Sequence, residues 1–251
     1  MFRVLNQIWP CHLTDSIKHL LHSAGHFVQH LMIGSDSALD SFQNILSESC
    51  PNLYNLAIHL PSEWDEVKSN NLLHVLQGMQ RLMRLSLGIL CTSYADILIC
   101  PSVFPNLTHL QLLLPSGDFD STSWENWDVF AQFPMLTHVS VPATFQSQED
   151  FLKLLQDWSS LQLLVVIPWI SPLSLSASKF AGWRRRHFPN NNMKDNRLVM
   201  LAKLDFFPAI LDWEKGANGG VDVWCFAELV VFARESEYLV FNIYVTPFDV
   251  E

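Results

Sequence analysis

The sequence predicts an α/β protein made of short parallel strands stacked side by side, and three observations carry that expectation. First, FPNLTHLQLLLP (Phe104–Pro115) is nearly rewritten as FPMLTHVSVP (Phe133–Pro142), and the shared pattern L-x-x-L-x-L, with Val or Ile allowed, occurs six times. Second, the phrases begin at residues 28, 53, 82, 107, 136 and 161, spaced 25, 29, 25, 29 and 25 apart. That spacing lies inside the 20–29-residue period of leucine-rich repeats. Third, between phrases the apolar residues recur at three and four, a helical period. The expected architecture is an α/β leucine-rich-repeat solenoid, a curved parallel β-sheet with helices or loops on the convex side.

The six phrases read Val28-x-x-Leu31-x-Ile33, Leu53-x-x-Leu56-x-Ile58, Leu82-x-x-Leu85-x-Leu87, Leu107-x-x-Leu110-x-Leu112, Leu136-x-x-Val139-x-Val141 and Leu161-x-x-Leu164-x-Val166. Side chains alternate along a strand, so the last two apolar positions share one face and point into the core. The first position closes the corner before the strand. One such strand cannot bury its face alone, and stacking at roughly 4.8 Å joins the faces into a single apolar seam.

Crossovers between parallel strands come from the helical stretches. Leu39, Phe42, Ile45 and Leu46 form one, and Leu72, Leu73, Leu76 and Met79 another. Phe151, Leu154, Leu155 and Trp158 follow the acidic start Gln148-Glu149-Asp150, and Trp124, Trp127, Phe130 and Ala131 make a shorter version. Gly88–Phe104 has few helical spacings and reads mostly as loop. Pro51, Pro105 and Pro134 stop a helix just before the phrase.

The predicted organisation is one elongated domain in three parts. Residues 1–27 form an N-terminal capping helix that starts at Thr14-Asp15, carries Ile17, Leu20, Leu21 and Ala24, and stops at Gly25. Residues 28–168 hold the six repeats. Residues 169–251 form a C-terminal capping layer, a separate small domain being the alternative. That layer contains loop-like ISPLSLSAS, a strand over Leu198–Leu204, a turn at GANGG (Gly216–Gly220), a helix over Val223–Arg234 and a strand over Tyr238–Val245.

Composition narrows the function. Hydrophobic residues make up 49% of the 251 and charged residues 16%, well under the roughly 25% usual for soluble domains, which excludes a disordered chain. The net charge of −10 repels phosphate backbones, so no nucleic-acid partner is expected. Five cysteines without a CxxC pair suit reduced thiols rather than a disulfide framework or zinc site. The N-terminus lacks an apolar signal region, and the longest apolar run, Leu161–Leu175, is broken by Pro168 and Pro172. No membrane partner is expected, and the expected location is cytoplasmic or nuclear.

Chemistry-bearing motifs are weak. Asn106-Leu107-Thr108 matches a glycosylation sequon but lies inside a repeat phrase. Asp118-Phe119-Asp120 lacks the glycine and distant glutamate of a calcium loop, and GANGG lacks the Lys-Ser/Thr of a phosphate cradle. Trp183-Arg184-Arg185-Arg186-His187 reads as a solvated basic segment. No nucleophile elbow or metalloprotease motif occurs, so the chain is expected not to be an enzyme, with no catalytic, cofactor or metal residues.

The remaining candidates are the strand positions that point away from the core. The first outward position holds His30, Asn55, Arg84, His109, His138 and Leu163, and the next holds Met32, Ala57, Ser86, Gln111, Ser140 and Val165. The predicted protein-binding residues are His30, Asn55, Arg84, His109, Gln111 and His138, polar and aligned in adjacent rungs of the concave face. His109 and His138 could share a metal or act in acid–base work. No third ligand accompanies them in the sequence, so the pair is read as part of a solvated polar surface.

CPNLYNLAI, FPNLTHLQLLLP and FPMLTHVSVP resemble the leucine-rich-repeat region of the large F-box-type protein set of mushroom-forming fungi. DNRLVML with DWEKGANGGVDVWCFAELVVFARE resembles the ending of those chains, and the likeness runs from about Leu20 to Arg234. The resemblance implies the substrate-binding part of a ubiquitin-ligase receptor. It departs from the family before Val28, where no Leu-Pro-x-Glu-type F-box segment is found. The expected function is therefore non-catalytic protein recognition by an F-box-like chain lacking its F-box. The alternative is a free-standing interaction scaffold unrelated to ubiquitination. The expected partner is an unidentified protein on the concave face, with a ligase adaptor added only if an F-box is encoded upstream.

Overall fold

A computed structural model describes residues 4–7, 15–34, 46, 48–64, 72, 76, 79–91, 104–113, 127–143, 148–168, 195–201 and 206–236. The chain divides into two compact units, Met1–Leu136 and Thr137–Glu251. Both are α/β, with parallel strands.

In the first unit, β1 (Val4–Gln7), β2 (His30–Ile33), β3 (Asn55–Trp64), β4 (Arg84–Cys91) and β5 (His109–Leu113) pair in chain order, each parallel to the one before. The register superimposes the phrases: Leu31 faces Leu56, Leu56 faces Leu85, and Leu85 faces Leu110. These leucines and the second row, Ile33, Ile58, Leu87 and Leu112, are all buried. So are the corner residues Val28, Leu53, Leu82 and Leu107. Each corner repeats one hydrogen-bond design, in which a single carbonyl accepts two consecutive N–H groups of the next repeat. Gln29 O accepts from residues 54 and 55, Tyr54 O from 83 and 84, and Met83 O from 108 and 109. Asparagines stitch the same edge, Asn52 Nδ2 donating to His26 O at 2.8 Å and Asn106 Nδ2 to Gln80 O at 2.7 Å.

Four features of this unit depart from the sequence reading. A strand, β1, precedes α1 (Asp15–Ala24), so residues 1–27 hold more than a helix. Gln7 pairs with Ile33, where the phrase would carry its last apolar residue, and a search for apolar triplets passes over it. β3 runs beyond its phrase to Trp64, with a register shift between His59 and Glu63. β4 continues through Cys91, turning the first residues of the expected Gly88–Phe104 loop into strand. Phe130 lies in a 3-10 turn, Trp127–Gln132, rather than an α-helix, and packs beside Phe133, which stacks on Phe104 at 5.7 Å. Leu46, Leu72 and Leu76 are helical and buried as expected. Leu39, Phe42, Ile45, Leu73 and Trp124 lie outside the described residues.

In the second unit, β6 (His138–Ala143), β7 (Leu163–Pro168) and β8 (Leu198–Met200) pair parallel. α2 (Gln148–Asp157) buries Phe151, Leu154 and Leu155, and Trp158 follows it into the core. The helical spacing and acidic first turn had marked this element in the sequence. Arg197 fastens the corner before β8: its guanidinium holds the Asp195 carboxylate at 2.6 Å and donates to Leu161 O at 3.0 Å and Leu155 O at 2.8 Å. Two helices follow, α3 (Phe206–Ala217) and α4 (Val223–Glu235). α3 is absent from the sequence reading, and it carries Pro208. At the third helical position its missing N–H is one the first turn leaves unbonded anyway. Gly219, at φ 80°, makes the turn between the helices. Asp222 then caps α4, accepting from the Cys225 N–H at 2.9 Å. The expected strand at Tyr238–Val245, Asp118–Asp120 and the basic run Trp183–His187 lie outside the described residues. No helix among the described residues is long and apolar enough to cross a membrane.

Candidate recognition surface

Strand register brings His30, Asn55, Arg84 and His109 into one row on neighbouring strands, with Met32, Ala57, Ser86 and Gln111 in the row beside it. Alternation puts both rows opposite the leucine seam. The alignment expected from the sequence is present, but the openness is not. His30 is 6% exposed, Asn55 and Gln111 each 4%, and only Arg84 and His109 are half-buried. A buried polar row needs hydrogen-bond partners, and two clusters supply them for most of its polar atoms.

In the first cluster Asn55 Nδ2 donates to His30 Nδ1 at 3.2 Å. The ring proton then sits on Nε2, 2.6 Å from the Tyr54 hydroxyl. In the second, the Ser86 hydroxyl donates to Gln111 Oε1 at 2.9 Å, and His59 Nε2 lies 2.9 Å from the same serine oxygen. With the serine proton committed to Gln111, His59 Nε2–H is the donor to Ser86. Burial pushes the His59 pKa down to about 4, which keeps the ring neutral. The proton order runs away from the imidazole, so His59 does not act as a base on Ser86, and the trio is not a nucleophile arrangement. Gln111 Nε2 is buried without a hydrogen-bond partner among the described residues.

His59 and Tyr54 were not among the sequence candidates. His59 follows Asn55 and Ala57 in the same outward alternation, so extending the phrase by two residues would have found it. It also explains Gly88, which it faces across the strands: a Cβ there would sit 3.1 Å from the imidazole.

Two Thr-His pairs share one local design. Thr108 Oγ1 donates to Met83 O at 3.0 Å and lies 2.8 Å from His109 Nδ1. In the second unit Thr137 Oγ1 lies 2.8 Å from His138 Nδ1. His138 is buried, with Glu228 Oε1 of α4 at 3.2 Å from Nε2 and the Trp224 ring edge-on at 6.0 Å. α4 therefore lies over an outward position of β6 that the sequence reading left open to solvent.

Other titratable groups sit in structural roles. Asp212 is buried and accepts from the Val223 N–H at 3.1 Å. Burial pushes its carboxyl up to about 7, assisted by the Asp222 charge and opposed by the Val223 bond and Lys215. Burial likewise pushes the Cys50 thiol up to about 11, which leaves it protonated and unreactive. No protein-family model matches the chain, and no curated protein matches it in sequence.

Proposed function

We propose that the chain is a leucine-rich-repeat solenoid acting as a non-catalytic protein-recognition module, in the cytoplasm or nucleus. The observation that carries this reading is the in-register polar row His30–Asn55–Arg84–His109, built at repeat spacing on parallel strands. Repeat arrays present such rows as extended binding surfaces. Within the row the half-buried Arg84 and His109 make the contact. His30, Asn55 and Gln111 are held by neighbours and shape the surface beneath them, and His138 supports its own strand from under α4. An arginine at the centre of a desolvated patch suits a hot spot, where truncation typically weakens binding by 1–2 kcal/mol or more.

The finer reading is the substrate-binding half of an F-box-like ubiquitin-ligase receptor, supported by the resemblance of the repeat phrases and of the Asp195–Leu201 and Asp212–Glu235 stretches to that protein set. Quantitative capture with the intact chain and with Arg84→Ala/His109→Ala tests recognition. A partner retained by the first and lost by the second, with both chains folded, is the expected result; equal retention removes the row from the account. Sequencing the 5′ end of the transcript tests the ligase role. An in-frame upstream segment encoding a Leu-Pro-x-Glu helix supports it, and its absence leaves the interaction scaffold.

A further inference from the structure

α4 is held at both ends, and the two attachments respond differently to protons. At its C-terminal end Arg234 Nη1 donates to Leu198 O at 2.7 Å, and a guanidinium keeps its charge throughout the working pH range. At its N-terminal end two carboxylates meet in the seam with α3. Asp222, 6% exposed, caps α4 through the Cys225 N–H at 2.9 Å, and Asp212 of α3, 8% exposed, accepts from the Val223 N–H at 3.1 Å. Gly216 lies one turn beyond Asp212 on the same face of α3, and a Cβ there would overlap the Asp222 carboxylate. The missing side chain admits the second acid to the seam.

Two buried carboxylates side by side repel each other when both are ionised, and burial penalises each charge. Burial, aided by the Asp222 charge, holds the Asp212 carboxyl at about 7, against the opposing pull of the Val223 bond and of exposed Lys215. Among the described residues no cation forms an ion pair with it. In water the same group ionises near 3.8, so a proton belongs to the closed seam and leaves when the seam opens. The lead-in to α4, residues 218–221, is exposed at every position and holds Gly219 at φ 80°, which makes it a joint about which the first turn can move.

We infer that the N-terminal end of α4 is a proton-operated latch, seated on α3 while Asp212 is protonated and released, with the Arg234 end still anchored, once Asp212 is ionised. Trp224 and Glu228, which α4 holds over His138, move with it, so proton uptake closes the cover over this outward position of β6. The latch needs no partner and stands apart from the recognition reading.

The test is amide hydrogen exchange by NMR on the intact chain at a series of pH values, each rate divided by its intrinsic rate. Protection at Val223, Cys225 and Phe226 is expected to fall about tenfold per pH unit from about pH 4.5 to 7 and to level off above. At pH 7 it should be at least about tenfold lower than at Val165 and Val166 of β7, the mark of a local opening. Asp212→Asn keeps an acceptor for Val223 and never ionises, so it should abolish the slope. Asp222→Asn keeps a capping oxygen and removes the neighbouring charge, so the level-off point should move to lower pH. A flat wild-type profile, a slope retained in Asp212→Asn, or a level-off point that Asp222→Asn leaves in place overturns the inference. So do first-turn amides that exchange no faster than those of β7, which means unfolding of the whole unit. Amides of Phe232 and Ala233 that share the first turn's rates and slope overturn it as well, because the helix then leaves entire.

Discussion

Position 110 and position 111 are one residue apart and face opposite sides of β5, and the structure makes both intolerant of charge for different reasons. Leu110 is fully buried in the apolar seam, so Leu110→Asp should lower stability by about 3 kcal/mol or more. Gln111 looks from sequence alone like an exposed polar residue that Asp could replace silently. It is instead buried and accepts the Ser86 hydroxyl bond, so Gln111→Asp should lower stability by about 1–3 kcal/mol. Urea midpoints of the two variants check both figures. His59 gives a pH signature. Its folded pKa of about 4 lies below the ordinary 6.5, so the folded state binds fewer protons between those values. Stability should be full above pH 6.5 and fall by on the order of 3 kcal/mol as pH drops toward 4. His59→Gln should flatten that slope. Asp212 has the opposite sign: its carboxyl is raised from 3.8 to about 7, so its contribution declines as pH rises through that window. Asp212→Asn, which retains an acceptor for Val223, should remove the decline. The two groups oppose each other near pH 5, and each is read as variant against wild type.

Elements were legible where the apolar period and the terminal residues agreed. α2 has an acidic first turn and a buried face at three and four, and α4 has Asp222 as cap and a Gly-rich turn before it. β1 and α3 were illegible because each carries one residue that breaks a rule without breaking the structure. Gln7 pairs with Ile33 where the phrase would carry an apolar residue, and Pro208 sits in a helical first turn that tolerates it. Two substitutions probe elements directly. Asp222→Ala removes the bond to Cys225 N–H and should destabilise the second unit by about 1 kcal/mol, read from its urea midpoint. Arg197→Met removes two bonds to carbonyls and the guanidinium's bonds to Asp195, leaving that carboxylate only the backbone N–H among the donors that residue 197 supplies. Its effect should be larger, about 2–3 kcal/mol, with faster amide exchange at Leu198 and Val199.

At the scale of the molecule, the sequence carried the parallel α/β class and the strand register within each unit, because phrases at a near-constant period leave little freedom for either. It did not carry which of the outward rows are covered. That depends on residues far away in sequence, as when Glu228, ninety residues later, and Trp224 close over His138. Local alternation sees the direction of a side chain but not what lies above it. The polar row and the recognition role we propose for it both depend on register, and a double-mutant cycle of Ser86→Ala and Gln111→Leu measures it most directly. These residues are 25 apart in sequence and face each other on β4 and β5 with a 2.9 Å hydrogen bond. A coupling energy of about 1 kcal/mol in urea unfolding is the predicted result. Effects that add to within about 0.3 kcal/mol would mean that the two side chains do not meet and that the register is wrong.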